Sequence, residues 1–119
     1  MATQSFKDLI VWQRATETSI EIHKTFKGLS DFSFRDQIQR AALSMPNNIA
    51  EGYARRSDKA LKIFLFIAKG SAAEVESMLI IAAKLGYLKS EEQARLIQKV
   101  DEVSRLISGF IKKLSAEDS

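Results

Sequence analysis

Apolar residues recur at steps of three and four along almost the entire chain, and nowhere do apolar and polar residues alternate as they do along a half-buried strand. Helix is therefore the reading throughout, and the turn-forming residues cut it into four segments. Ser5, followed by Asp8, has the spacing of a capping box and predicts a first helix starting after Ser5. Its buried stripe is Leu9, Trp12, Ala15, Ser19, Ile22 and Phe26, and Gly28 can end it in a left-handed conformation. Ser33 and Asp36 repeat the capping pattern for a second helix, with Ile38, Ala42, Met45, Ile49 and Tyr53 facing inward. Pro46 falls inside this segment, where it removes a backbone donor and crowds the preceding turn. A kink near Ala42 to Pro46 is expected, with a break as the alternative.

Ser57 caps a third helix running to about Leu85, where Gly86 closes it. Ser90 and Gln93 form a capping box for the fourth, whose Leu96, Val100, Val103, Ile107, Phe110 and Leu114 make a heptad-like seam suited to shallow packing angles. Short connections between all four segments predict an all-α fold, an antiparallel up-down-up-down four-helix bundle, with residues 1–119 as a single domain.

The third helix breaks the pattern. Phe64, Ile67, Ser71, Val75, Met78, Ala82 and Leu85 can supply one buried stripe, but Leu61, Ile63, Leu65, Phe66, Ala72, Leu79, Ile80 and Ile81 are apolar on the other faces. A helix that is apolar nearly all round needs cover nearly all round. In a bundle of this size each helix keeps one face outward, so the surplus predicts self-association; the alternative is a surface with scattered exposed apolar residues.

Composition adds exclusions. At 119 residues, with 45% hydrophobic and 28% charged residues, the chain has the make-up of one folded domain. It has no cysteine, which removes disulfides and thiolate metal sites and predicts a reducing, cytoplasmic setting. The first residues lack the pattern of a signal peptide, and no apolar run has the ~18 residues of a membrane span. His23 is the only histidine, so neither a di-iron bundle centre nor a conventional hydrolase triad is expected, and the five glycines are too dispersed for a phosphate loop. No catalytic residue, metal or cofactor is predicted.

The net charge of +3 is unevenly spread. Residues 31–70 carry seven cations against four anions, whereas residues 71–119 carry seven against eight. Arg55, Arg56, Lys59, Lys62 and Lys69, opposed only by Asp58, form the basic cluster around the turn between the second and third helices. Such a cluster can neutralise phosphates of RNA or DNA without reading sequence, or can be an ordinary solvated helix end. No base-stacking platform or recognition-helix pattern accompanies it. A polar stripe runs along the second helix through Gln37, Arg40, Ser44, Asn47 or Asn48, and Glu51. It is either a solvent face or a hydrogen-bonded network, with Arg40 paired to Glu51 or to Glu74 of the third helix.

Phe6-Lys7-Asp8-Leu9 with Val11-Trp12, the stretch Gln37 to Ser44, Asn47-Asn48-Ile49-Ala50-Glu51-Gly52, and Gly70-Ser71-Ala72-Ala73-Glu74-Val75-Glu76 together resemble the 23S ribosomal RNA intervening-sequence protein family of four-helix bundles. The resemblance covers nearly the whole chain. It implies a ring-shaped homopentamer, and kinship with the accessory variability proteins of diversity-generating retroelements, which bind nucleic acid and a reverse transcriptase. Two functions follow as expectations. The first is a non-enzymatic homo-oligomer whose basic face binds RNA or DNA with little sequence preference. The second is an oligomeric scaffold that recognises another protein and binds no nucleic acid.

Overall fold

The computed structural model of the chain describes residues 5–117. Four helices carry it: α1 (Ile10–Phe26), α2 (Phe32–Ala54), α3 (Asp58–Lys84) and α4 (Ser90–Glu117). No strand occurs among the described residues. Each of α1 and α3 packs against both α2 and α4, and the diagonal pairs stay apart across the core. Sequence neighbours are thus spatial neighbours, which with short connections gives the up-down-up-down bundle. The molecule measures 47 × 22 × 20 Å, consistent with a longest helix of 28 residues rising about 1.5 Å per residue.

Three helix starts differ from expectation. Ser5 caps only a single 3-10 turn, Phe6–Asp8, its Oγ accepting from the Lys7 N–H at 3.2 Å. Leu9 is extended, and α1 begins at Ile10. For α2 the cap is Asp31 rather than Ser33: Asp31 Oδ1 accepts from the Phe34 N–H at 3.1 Å, and Ser33 lies inside the helix. Asp31 wins because its second oxygen is also used, accepting the Tyr87 hydroxyl at 2.7 Å and tying the α1–α2 connection to the α3–α4 connection. Ser90 is already helical, the first α4 bond running from the Gln93 N–H to the Lys89 carbonyl.

Ser57 caps α3 as expected, accepting from the Ala60 N–H at 3.2 Å. Gly86, with φ of 80°, ends that helix in the left-handed region, but Gly28 is not left-handed. Helix α2 continues unbroken through Pro46, which is itself buried.

Most of the expected inward residues of α1, α2 and α4 are in the core, with Ala15, Ile22, Phe26, Ile38, Ala42, Met45, Ile49, Leu96, Val100, Val103 and Ile107 essentially inaccessible, while Leu9, Trp12, Tyr53 and Phe110 pack against it partly buried. Phe26, Phe34 and Tyr87 close one end, with ring centroids 6.1 Å (Phe26 to Phe34) and 5.4 Å (Phe34 to Tyr87) apart. The α2–α3 turn, which holds the first part of the basic cluster, is at the opposite end. There Gly52 lets the two helices come together: a Cβ on Gly52 would lie 2.6 Å from Phe64 Cβ and 3.2 Å from a Leu61 methyl.

Candidate interaction surface

Helix α3 buries Leu61, Leu65, Ala68, Ala72, Val75, Met78, Leu79 and Ala82. The expected stripe is therefore out of phase before Val75. Val75, Met78 and Ala82 are buried, but Phe64 and Ser71 are only partly covered and Ile67 and Leu85 face outward. Up to Ser71 the sequence carries two stripes with the same average step, which meet at Val75, and the one through Ala68 and Ala72 is buried because small side chains let α3 approach its neighbours.

The larger residues are consequently displaced to the surface. Ile63, Phe66, Ile67, Ile80, Ile81 and Leu85 keep between 38% and 58% of their area exposed. Gly70, Ala73 and Ser77 are also exposed and leave a dip between the two groups of large residues. The contacts of Gly52 with Phe64 and of Ser44 with Ser71 fix the side of α3 that meets α2. At 100° per residue, Ile63, Ile67, Ile81 and Leu85 form the outward flank nearer α2, while Lys62, Phe66, Lys69 and Ile80 form the flank farther from it.

On α2 the polar stripe divides in two. Its inner part is a hydrogen-bonded junction with α3: Ser44 Oγ and Ser71 Oγ are 2.8 Å apart, and Asn48 Nδ2 donates to both the Ser44 hydroxyl and the Ser44 carbonyl at 2.8 Å. Ser71 also donates to the Ile67 carbonyl at 3.2 Å. The outer part, Gln37, Arg40, Asn47 and Glu51, is exposed, as is Glu74 on α3. The pairing of Arg40 with Glu51 or Glu74 does not form. Glu51 instead takes Arg55, one helical turn away, at 3.1 Å. Arg40 and Asn47 line, with His23, Asp36, Gln39 and Leu43, an open groove of about 560 Å³ on the α1–α2 side, where Gln39 Nε2 donates to the His23 carbonyl at 3.1 Å.

The basic cluster is likewise divided. Arg55 is engaged twice, by Glu51 and by the Phe64 ring, whose centroid is 5.2 Å from the guanidinium carbon. Arg56 is exposed at the turn and holds φ of 59°, the only non-glycine residue in the left-handed region among those described. Lys59 and Lys69 are exposed on α3, and Lys62 is partly covered between them. Phe66, 58% exposed, shares their face. The sequence reading sets Phe66 off the buried stripe of α3 but does not join it to the lysines, because the phase of α3 decides which outward flank they share.

A further charged junction joins α1 to α4, where Glu21 accepts from Arg95 and from Lys99, the latter at 3.2 Å. Partial burial works to raise the Glu21 carboxyl, but these two cations outweigh it and hold the group below its ordinary value. Among the described residues no group of three His, Asp or Glu side chains is placed to hold a metal ion, and no helix is long and apolar enough to cross a membrane.

The model of the family described as 23S rRNA-intervening sequence protein matches residues 7–109. The chain belongs to that family. The match runs from the first 3-10 turn into the last third of α4 and so takes in the whole surface just described. None of the curated proteins matches the chain. The fold is that of a crystal structure of a protein of unknown function from the S23 ribosomal protein family of Bacteroides thetaiotaomicron, with a TM-score of 0.81 and 24% identity over 87% of this chain and 96% of that one.

Proposed function

We propose that this member of the 23S rRNA-intervening sequence protein family is a non-enzymatic, self-assembling bundle, a ring of five copies, whose basic face binds the phosphate backbone of RNA or DNA with little sequence preference. The observation that carries assembly is the outer face of α3, which leaves six large apolar side chains partly exposed in two groups, Ile63, Phe66 and Ile67 and then Ile80, Ile81 and Leu85. Covering that face with another copy removes it from water without any change in the protomer. The flank nearer α2 suits this contact, since it is the more purely apolar and borders the exposed polar row of Arg40, Asn47 and Glu51, residues able to rim an interface. The number five rests on the family resemblance.

The basic face extends from the α2–α3 turn along α3. Repetition around an assembly multiplies weak phosphate contacts into useful avidity. The competing reading, a protein scaffold without nucleic-acid binding, draws support from Arg55, whose charge is already used by Glu51 and Phe64.

Two measurements test the proposal. Light scattering at micromolar concentration is expected to give a mass of five protomers for the wild type and a smaller one for the double variant Ile67→Asp, Ile81→Asp; a monomeric wild type refutes assembly. Gel-shift titration with structured RNA and duplex DNA across a salt series then compares the wild type with Arg55, Arg56, Lys59 and Lys62 all changed to Ala. Binding that weakens with salt, and whose salt slope falls by about one for each phosphate-contacting cation removed, is the expected result. No binding at low salt leaves the scaffold reading standing.

A further inference from the structure

Phe66 is the most exposed large apolar residue of α3, yet its surroundings differ from those of the other outward residues. Lys59, Lys62 and Lys69 lie seven and four residues before it and three residues after it, spacings that bring all four side chains to one face. Lys59 and Lys69 are exposed, and Arg56 extends the charge beyond the N-terminus of the helix. Asp58, four residues before Lys62, and Glu76, farther along, are the acidic residues of this flank, and with Lys59, Lys69 and Arg56 exposed the surroundings of Phe66 keep an excess of positive charge.

We infer that this Lys–Phe–Lys face is a stacking site for single-stranded nucleic acid, with the Phe66 ring taking the face of an unpaired base and the flanking lysines taking phosphates. The inference rests on the nucleic-acid part of the proposed function and specifies its ligand. In a duplex the bases already stack on one another and offer no free ring face, so an exposed aromatic gains nothing there; on a single strand every base has one to offer, whatever its identity. The ten residue steps from Lys59 to Lys69 span about 15 Å of helix axis, close to the axial length of four stacked nucleotides at roughly 3.4 Å each. A membrane surface also attracts aromatics and lysines, but an interfacial helix presents a broad apolar face framed by cations. Here lysines border the ring on the side away from Ile63 and Ile67, and charge complementarity favours the polyanionic strand.

Fluorescence anisotropy with labelled 20-nucleotide oligo-U, oligo-dT and a blunt duplex at low salt tests this inference, with the assembly state of each variant followed by light scattering. The wild type is expected to prefer both single strands to the duplex. Phe66→Ala should weaken single-strand binding on the order of tenfold and leave duplex binding unchanged. Phe66→Trp should retain binding and add a tryptophan signal quenched by the strand, a change that Trp12 of the wild type does not show. The double change Lys59→Ala, Lys69→Ala should weaken both ligands. Duplex and single strand bound equally, with Phe66→Ala neutral on both, overturns the stacking site while leaving backbone binding intact. Absence of binding to all three overturns the nucleic-acid reading itself, and with it this site. A Phe66→Trp variant that assembles normally but is not quenched overturns stacking even if Phe66→Ala disturbs assembly. Vesicles rich in phosphatidylglycerol serve as the remaining arm, and binding to them without binding to oligo-U or oligo-dT rejects the inference.

Discussion

Gly52 places helix propensity and packing in direct opposition. Replacing a mid-helix glycine by alanine ordinarily stabilises by about 1 kcal/mol, because alanine is the better helix former and leaves the unfolded chain less freedom. At Gly52 the new methyl would stand 2.6 Å from Phe64 Cβ and 3.4 Å from Leu61 Cα. Neither atom is the end of a flexible side chain that can swing aside. Phe64 is further held by the guanidinium of Arg55 on its ring, and only Arg55 to Ser57 separate the two helices, so they have little freedom to spread. Relief requires displacing backbone, and overpacking of this kind costs about 1–3 kcal/mol. The net expectation for Gly52→Ala lies between no change and a loss of about 2 kcal/mol, the latter roughly 8 °C in Tm for a chain of this size. Gly109, with nothing within 4 Å of its added Cβ, is the matched control, and Gly109→Ala should gain about 0.5–1 kcal/mol. Thermal melts by circular dichroism at one fixed protein concentration, needed because assembly couples to Tm, read the two variants side by side. A Gly52→Ala protein as stable as Gly109→Ala would show that α2 and α3 do not approach each other as closely as described.

Two further predictions concern hydrogen-bonded junctions elsewhere in the bundle. The Tyr87 hydroxyl, followed by the Phe34 N–H, holds the Asp31 carboxyl below its ordinary value of 3.8, and Glu21 is likewise held below 4.5. Depressed carboxyls contribute stability that is complete above their unfolded values and lost as pH falls through the folded ones. Urea midpoints should therefore be level from neutrality to about pH 5 and fall below it. Asp31→Asn, which keeps a capping side chain, should differ less and less from the wild type as acid is added, and a difference that stays constant down to pH 3 contradicts the assignment. For the Ser44–Ser71 hydrogen bond, a double-mutant cycle to Ala should give a coupling of about 0.5–1.5 kcal/mol; additive effects would mean that the serines act separately.

The bundle was largely legible because α1, α2 and α4 each offer one stripe of large apolar residues, so the period alone identifies the buried face. Helix ends were less so. Ser33 has the right chemistry for a cap, but the choice of Asp31 depends on Tyr87, 56 residues away, and local sequence cannot express that. The α3 phase was ambiguous for a related reason: before Val75 its two apolar stripes have equal period, and only the proximity of α2 and α4 selects the one through Ala68 and Ala72. The candidate surface inherits this ambiguity. The basic residues could be named from the sequence, but not that Arg55 is taken up by Glu51 and Phe64, nor that Phe66 joins Lys59 and Lys69 outside.

That choice of stripe links folding to function. A core built on Leu61, Leu65, Val75 and Leu79 with three alanines needs α3 close to its neighbours, and the closeness is what turns Ile63, Phe66, Ile67, Ile80 and Ile81 outward. Were these large residues inside, the protomer would gain buried area but lose its sticky face. The two outward flanks then carry different chemistry. Ile67 and Ile81 lie in an apolar row next to α2 groups of both signs, Arg40 and the paired Glu51, whereas Phe66 lies among lysines that a second copy bearing the same charges would repel. Like charges brought together across an interface oppose close approach. The flank nearer α2 is therefore the better one to lose to assembly, and the lysine flank the better one to remain open to a polyanion.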